Sequence, residues 1–189
     1  SIALTPHTDN PYRKPIPCIQ LLHCLTNEVK GGFSTLVDGF AVAEFLRKNH
    51  KDLFKILTKT KVRFRFVDKT IILENWGELI ELEENNKVKQ IRYSTRLDYV
   101  PALDKKELEK FYEARKLIAS LYASSKFEIK FRLEKGDLLM MDNHRLLHGR
   151  TSYDVSEGKR YLKGCYIDHD STEGKLRHLE RKFGLKWKK

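Results

Sequence analysis

His7 and Asp9 are the first residues whose types and spacing suggest chemistry, because both side chains can bind a metal ion. They lie two residues apart in "LTPHTDNPY", a stretch rich in turn formers. On an extended segment this spacing directs both side chains to one face, where an imidazole and a carboxylate can reach the same ion. Two histidines and one carboxylate are the set that binds non-haem Fe(II) and leaves positions open for oxygen and a co-substrate. The sequence must therefore supply a second histidine.

Several histidines could complete the set. Three of them lie in charged surroundings and are predicted to be solvated: His50, His169 and His178. His23 lies in the apolar run "QLLHCL", where a hydrogen-bonded core histidine is the simpler interpretation. His144 and His148 remain, both within "GDLLMMDNHRLLHGR" at the predicted end of a strand. His148 is favoured because the following residue, Gly149, lets the backbone approach closely.

Strands dominate the secondary structure that the sequence predicts. Continuous apolar runs predict largely buried strands in "CIQLLHCL" and "LLMMD". Alternation of charged and apolar residues predicts strands with one solvated face in "KVRFRFV" and "KFEIKFRL". The polar "ELEENNK", flanked by "TIILE" and "KVKQIRYS", predicts a hairpin. A further strand is predicted through "RYLKGCYI", before a basic C-terminal helix.

Helices interrupt these strands. Asp38 can cap a helix through "GFAVAEFLRKN", and a second short helix follows through "KDLFKILTK". Asp104 and Glu107 form a D-x-x-E start for a long helix. Its apolar residues at spacings of three and four are Leu108, Phe111, Tyr112, Ile118 and Ala119. The expected class is α+β and mainly β, with an antiparallel β core and helices on its outside.

Composition limits what kind of protein this can be. A hydrophobic content of 40% fits one folded domain, and no apolar run approaches the roughly 20 residues of a membrane-spanning helix. The net charge of +11 admits nucleic-acid binding, but the basic residues are scattered, which favours a solvated surface that attracts anionic small molecules. Cys18, Cys24 and Cys165 show neither a disulfide framework nor a zinc-knuckle spacing, so a reducing cytoplasm is expected.

Several motifs, in one order along the chain, resemble those of a known family. They are "HTDNPY", "GGFS", "VDGF", "GDLLMMDNHRLLHGR" and an arginine in "RYLKGCY". From Pro6 to about Leu179 the sequence resembles the Fe(II)/2-oxoglutarate dioxygenases of the TauD type. Within this family it is most similar to the γ-butyrobetaine and trimethyllysine dioxygenase branch, and to bacterial dioxygenases of aminophosphonates and trimethylaminophosphonates.

The resemblance implies a fold and a catalytic centre. The fold would be a double-stranded β-helix, the jelly roll of cupin-like proteins, with flanking helices. His7, Asp9 and His148 would be the catalytic iron ligands, with 2-oxoglutarate and O2 as co-substrates of the Fe(II) enzyme. The far carboxylate of 2-oxoglutarate would pair with Arg160, whose planar guanidinium suits a bidentate pair.

The resemblance also implies supporting roles in binding. Ser34 could donate its hydroxyl to the 2-oxoglutarate carboxylate, or else cap the helix at Asp38. Arg150 could touch the same site or brace its loop. Tyr166 shares a strand face with Arg160 that should look into the barrel, and it matches a tyrosine of the cage for trimethylammonium groups, although core packing explains it equally. The segment that would hold the other end of the substrate contains Tyr93, Ser94 and Arg96.

The expected function is hydroxylation of a small zwitterionic compound, above all a quaternary ammonium compound such as γ-butyrobetaine, with release of succinate and CO2. The alternatives are a sulfonate or aminophosphonate substrate, a member that binds metal without turnover, and a non-catalytic basic protein that binds nucleic acid. Residues 1–189 are expected to form one catalytic domain that lacks its N-terminal portion. The expected partner is a small molecule, with no nucleic acid and no membrane, and a homodimer is compatible with the chain. One departure is His144, which replaces the tryptophan of the family motif.

Overall fold

The computed structural model describes residues 1–185, which form four helices and a set of antiparallel sheets. Within these residues the strands are β1 (Leu4–His7), β2 (Ile19–Asn27), β3 (Ser34–Asp38), β4 (Lys61–Val67), β5 (Ile72–Glu78), β6 (Ile80–Leu82), β7 (Val88–Ile91), β8 (Asp98–Tyr99), β9 (Glu128–Phe131), β10 (Leu138–Asp142), β11 (Leu146–Arg150) and β12 (Arg160–Ile167). The helices are α1 (Gly39–Asn49), α2 (Lys51–Leu57), α3 (Lys105–Tyr122) and α4 (His169–Lys182), with a short 3-10 helix at Val155–Glu157. The expected mainly-β α+β class is confirmed.

Two of the sheets position the residues of interest. Sheet A has the strand order β1-β11-β3-β9, and sheet B has the order β10-β2-β12. In sheet A the pairing of β1 with β11 sets His7 opposite His148. In sheet B the residues Asp142, Ile19 and Ile167 lie side by side, so the end of β10, the start of β2 and the end of β12 meet at one edge. Among the described residues, the other sheets, β5-β4-β8 and β6-β7, carry no candidate ligand.

The helix starts follow the sequence signals. The carboxylate of Asp38 accepts hydrogen bonds from the backbone N–H groups of Phe40 and Ala41, and Asp104 accepts one from Glu107 N, so both predicted caps are confirmed. The buried stripe of α3 consists of Phe111, Ala114, Ile118 and Tyr122. The expectation that Tyr112 belongs to this stripe is wrong: its side chain is exposed, because one residue along a helix rotates the side chain by about 100°.

The hydrophobic core lies between helices α1–α3 and the sheets, and it fixes the orientation of sheet A. Its fully buried members include Leu46, Leu57, Phe64, Ile80, Phe111 and Ile118. Val37 of β3 and Leu147 of β11 belong to the same cluster. Because neighbouring residues of a strand point to opposite faces, burial of Leu147 in this core directs His148 to the other face of sheet A. No helix in the described residues combines the length and apolar character needed to cross a membrane.

Two strand predictions are wrong in detail. In β10 the side chains of Leu138 and Met140 are 57% and 66% exposed, because β10 is an edge strand of sheet B and only alternate residues face inward. The strand predicted from "TIILE" pairs with β4, not across the polar turn. The hairpin that encloses "ELEENNK" is formed by β6 and β7, with Glu81 opposite Gln90.

Gly149 allows the close contact between β1 and β11, as its position after His148 predicted. A Cβ atom there would lie 2.6 Å from the carbonyl oxygen of Leu4 and 2.7 Å from Oγ1 of Thr35. We expect Gly149→Ala to separate the strands and lower the free energy of unfolding by roughly 1–3 kcal/mol, measured by chemical denaturation. Gly174→Ala is the control, since a Cβ at that position would meet no atom within 4 Å and alanine favours helix. Equal stability of the two variants would contradict the close-packing argument.

Candidate metal centre and active site

His7, Asp9 and His148 bring three metal-binding side chains together. One donor atom from each lies within 4.8 Å of the others. Nε2 of His7 is 3.3 Å from Oδ1 of Asp9, and Nε2 of His148 is 3.8 Å from Oδ2 of the same carboxylate. The two imidazole rings have centroids 4.4 Å apart. The three residues singled out as ligands therefore form one cluster, while His23 lies outside it on β2.

Asn143 holds the segment that carries Asp9. This asparagine is fully buried in the turn after β10. Its Oδ1 accepts a hydrogen bond from Asp9 N at 2.7 Å, and its Nδ2 donates to the carbonyl oxygens of Asp9 at 3.0 Å and Pro17 at 2.9 Å. The backbone that follows β1 is thereby fastened to the turn that precedes β11. Asn143 therefore connects the segment that carries Asp9 to the turn before the strand that carries His148.

Both histidines turn Nε2 toward Asp9, and in His7 a hydrogen bond determines which nitrogen carries the proton. Nδ1 of His7 lies 2.8 Å from the carbonyl oxygen of Thr5 and must donate its proton there, which leaves the lone pair on Nε2 free. Burial and the neighbouring His7 lower the pKa of His148 to about 4, against the opposing effect of Asp9. His148 is consequently neutral at neutral pH, the form that binds a metal.

Asp9 supplies the negative charge of the cluster. Burial by itself raises the pKa of Asp9, but the adjacent imidazoles of His7 and His148 and the hydroxyl of Tyr166 together hold that pKa well below its usual range. Nε2 of Gln20 donates to Oδ2 at 2.6 Å, and the Tyr166 hydroxyl donates to the same oxygen at 2.7 Å. Gln20 and Tyr166 belong to sheet B, whereas His7 and His148 belong to sheet A, so the carboxylate lies between the two sheets. Two imidazole nitrogens and one carboxylate oxygen fit Fe(II).

Arg160 is a half-buried cation without a matching anion. Its Nε is buried and has no hydrogen-bond partner, and none of the ion pairs in the described residues involves its guanidinium. The guanidinium lies 5.7 Å from the ring centroid of Tyr153, and its side chain passes Gly32 so closely that a Cβ there would be 3.0 Å away. Burial, followed by the charge of Arg150, lowers the pKa of Arg160. A half-buried guanidinium with open donors fits a carboxylate ligand.

Arg150 and Ser34 lie opposite one another in sheet A. Nη2 of Arg150 donates to Oγ of Ser1 at 2.7 Å and to the carbonyl oxygen of Ile2 at 2.5 Å, which favours the bracing role for this arginine. Its guanidinium also lies 4.6 Å from the Tyr153 ring centroid, so one aromatic ring contacts Arg150 and Arg160. Ser34 is buried and does not cap α1, because Asp38 performs that function with its own carboxylate.

The residues expected to bind substrate occupy different environments. Tyr166 is 43% exposed and contacts the ligand Asp9. Tyr93 packs its ring edge-on against Tyr122 in the core, with centroids 4.9 Å apart, so it meets the site through its backbone, which exchanges hydrogen bonds with Thr8. Ser94 is buried and Arg96 is exposed. In the described residues no hydrogen bond or ion pair joins either side chain to the three-residue cluster.

A cavity of about 670 Å³ opens beside Tyr166. Tyr12 contributes a second aromatic ring, which stacks on Phe66. The charged groups on its wall are of both signs: Arg13, Lys14, Glu74 and Asp168. A cavity with aromatic rings and both charge signs can accommodate a small molecule that is itself zwitterionic.

Sequence reasoning missed Gln20 and Asn143. Gln20 interrupts the apolar run "CIQLLHCL", and a polar residue inside a predicted strand is a signal that could have been used. Asn143 lies beside the candidate histidines, but its bonds to Asp9 join residues that are distant along the chain. No local pattern predicts a contact of that kind.

The chain is similar in sequence to curated dioxygenases of the kind that the motifs indicated. The γ-butyrobetaine dioxygenase of Pseudomonas sp. (strain AK-1) is 35% identical over 175 residues, which cover 93% of this chain and 46% of that protein. The trimethyllysine dioxygenase of Meyerozyma guilliermondii is 32% identical over 184 residues, which cover 95% of this chain and 45% of that protein. The chain therefore spans about half the length of the curated relatives it matches.

A solved structure shows that the fold is similar as well. The structure of asparagine oxygenase in complex with Fe(II), 2S,3S-3-hydroxyasparagine and succinate has a TM-score of 0.70 and 18% identity, over 88% of this chain and 50% of that one. Residues 2–166 match the model of the family described as "Taurine catabolism dioxygenase TauD, TfdA family". The resemblance predicted from the motifs is confirmed, and the chain belongs to the TauD, TfdA dioxygenase family.

Proposed function

We propose that residues 1–189 form a single catalytic domain that hydroxylates a small quaternary ammonium compound with Fe(II), 2-oxoglutarate and O2. The observation that carries this proposal is the convergence of His7, Asp9 and His148, whose donor atoms lie within 4.8 Å of one another in a chain of this family. Sheets A and B face each other across Asp9, which is the arrangement expected of a double-stranded β-helix.

Three side chains would hold the iron and leave its other positions open. His7 and His148 offer imidazole nitrogens from sheet A, and Asp9 offers the carboxylate. Iron bound there would supply the oxidation in which O2 and 2-oxoglutarate become succinate, CO2 and the hydroxyl group of the product. Gln20 and Tyr166 hold the Asp9 carboxylate in place through Oδ2, so that Oδ1 keeps its position beside His7.

Arg160 would bind the distal carboxylate of 2-oxoglutarate. Its guanidinium is half-buried, faces Tyr153 and carries a buried Nε that has no partner in the described residues. A bidentate pair with a carboxylate would satisfy these donors and balance the charge. Ser34 and Arg150, which pair across β3 and β11, are the further groups proposed to contact this end of the co-substrate.

The cavity beside Tyr166 would receive the substrate. The rings of Tyr12 and Tyr166 suit a trimethylammonium group, and Glu74 and Asp168 add negative charge, while Arg13 suits a carboxylate. The two relatives compared above are named for γ-butyrobetaine and trimethyllysine, which carry a trimethylammonium group. Tyr93, Ser94 and Arg96 stay proposed contacts for the other end of the substrate. A sulfonate is the second candidate, because the family description names taurine.

The decisive experiment measures succinate released from 2-oxoglutarate by the purified protein with a panel of betaines, sulfonates and aminophosphonates. We expect Fe(II)-dependent release that a quaternary ammonium compound stimulates most. Asp9→Ala should reduce release to background because the ligand set loses its only carboxylate. Asp52→Ala, at an exposed aspartate of α2, is the matched control and should retain activity. Release that persists in Asp9→Ala would refute the site, and stimulation by a sulfonate alone would select the second candidate.

Arg160→Lys should raise KM for 2-oxoglutarate by roughly 10- to 100-fold, because a single ammonium cannot reproduce the bidentate pair. KM for the substrate that is hydroxylated should change far less. The control is Arg63→Lys, since Arg63 is also half-buried and stacks on a ring, that of Tyr99, but lies on β4 outside sheets A and B. Equal KM values in wild type and Arg160→Lys would show that another group binds the carboxylate.

Gln20→Leu tests the support of Asp9. The substitution removes the 2.6 Å hydrogen bond to Oδ2 and leaves the metal ligands unchanged, so metal affinity should fall by about 10- to 100-fold. Calorimetric titration with Mn(II) measures this directly, without turnover. Gln90→Leu, at another buried glutamine on β7, controls for the loss of a buried amide. An unchanged affinity in Gln20→Leu would mean that Tyr166 alone suffices to orient the carboxylate.

A further inference from the structure

A second group of metal-binding side chains lies at the edge of sheet B. Cys18, Asp142, His144 and His169 each offer one donor atom, and these atoms lie within 4.8 Å of one another. Cys18 precedes β2, Asp142 ends β10, and His169 begins α4 just after β12. Since Asp142, Ile19 and Ile167 are in register across the three strands, the sheet itself gathers these residues. None of them belongs to the His7, Asp9 and His148 cluster.

The hydrogen bonds of His144 determine which nitrogen it can offer. Nε2 lies 3.1 Å from the carbonyl oxygen of Ile16, and a carbonyl accepts only from a protonated nitrogen. The lone pair is therefore on Nδ1, which lies 3.1 Å from Nε2 of His169. A histidine that donates one N–H to a carbonyl and presents its other nitrogen is oriented as metal ligands are. Asp142 uses Oδ1 to accept from His144 N at 2.8 Å, which leaves Oδ2 to bind an ion.

Cys18 gives this group its chemical character. Its side chain is buried, and its carbonyl oxygen accepts a 2.7 Å hydrogen bond from Asn143 N, so its position is fixed by the same residue that holds Asp9. One thiolate, one carboxylate and two neutral imidazoles carry two negative charges and balance a divalent cation. Four protein donors of this kind, with no open position, form the tetrahedral set that zinc adopts in structural sites.

The helix α4 supplies an independent reason for a tether at this point. No residue of α4, all of which lies in the described part of the chain, is buried, and its N-cap Asp168 makes no side-chain capping bond. A helix of 14 residues without a buried face has little to stabilise it. His169 is the first residue of this helix, so a bond from an ion to His169 would fasten α4 to sheet B where it begins.

We infer that Cys18, Asp142, His144 and His169 form a structural site for a zinc-type divalent cation that anchors α4 to sheet B. On binding, the S–H bond of Cys18 is replaced by a sulfur–metal bond and the proton passes to solvent, with no change in oxidation state. The site is separate from the proposed iron centre, which has no sulfur ligand, and it does not depend on catalysis.

Cobalt(II) distinguishes the two sites, because a thiolate ligand gives a sulfur-to-cobalt charge-transfer band in the near ultraviolet and a set of nitrogen and oxygen ligands does not. We expect metal-free wild-type protein to bind two equivalents of Co(II). The charge-transfer band should saturate at one equivalent. Asp9→Ala should bind one equivalent and keep the band. Cys18→Ser should bind one equivalent without it, whereas Cys165→Ser, at an exposed cysteine, should match wild type.

His169→Asn provides a second variant at an exposed position, where substitution cannot disturb the core. The substitution should weaken Co(II) binding at the site that gives the charge-transfer band by at least about tenfold. His178→Asn, on the same helix, should leave this binding unchanged. In the Asp9→Ala background, Zn(II) should slow amide hydrogen exchange in α4, and His169→Asn should abolish this effect. Absence of the band in wild type, or a band that survives Cys18→Ser, would overturn the inference. Failure of 2-oxoglutarate turnover would leave these outcomes unaffected.

Discussion

The antiparallel pairing of β1 with β11 is the constraint on which the site depends, because it sets His7 directly opposite His148. The register must be correct to the residue, since a slip of one position would turn either imidazole to the other face of sheet A. Two features secure it. Leu147 is buried in the helical core, and Gly149 leaves room for the backbone of β1. The packing of α1–α3 against one face of sheet A thus determines the chemistry available on the opposite face.

Asp9 joins the two sheets electrostatically. Buried carboxylates are costly unless they are paired and hydrogen-bonded, and Asp9 is surrounded by two imidazoles, an amide and a phenol. The same contacts that stabilise the charge also fix the direction of both oxygens. Arg160, the residue proposed to bind the co-substrate, differs from Asp9: it has no carboxylate partner in the described residues, so its charge is available to an anionic ligand.

Local signals predicted much of this structure. Caps at Asp38 and Asp104, the strands "KVRFRFV" and "RYLKGCYI", and the proximity of the His7 and Asp9 side chains all follow from local sequence patterns. The exposed side of β10 could not be predicted, because the composition of a strand does not say whether another element covers it. Neither could Gln20 and Asn143, whose partners are defined only after the sheets assemble. The charged surroundings of His169 predict a solvated side chain, and it is exposed, but its contact with His144 forms only because β12 ends there.

Asn143 connects the two groups of metal-binding residues. Its side chain clamps the Asp9 backbone, and its own N–H binds the carbonyl of Cys18, so both groups share one buried residue at the end of sheet B. Their donors nevertheless differ. The group with Cys18 has four donors including sulfur, which suits a permanently held cation, whereas the group with Asp9 has three nitrogen and oxygen donors, a number that suits an ion with exchangeable ligands. Divalent cations of equal charge can compete for both groups. Discrimination between zinc and iron must therefore come from the sulfur ligand and from the number of protein ligands. If zinc fills the group with Cys18 first, the group with Asp9 stays free for iron, which can bind further ligands there.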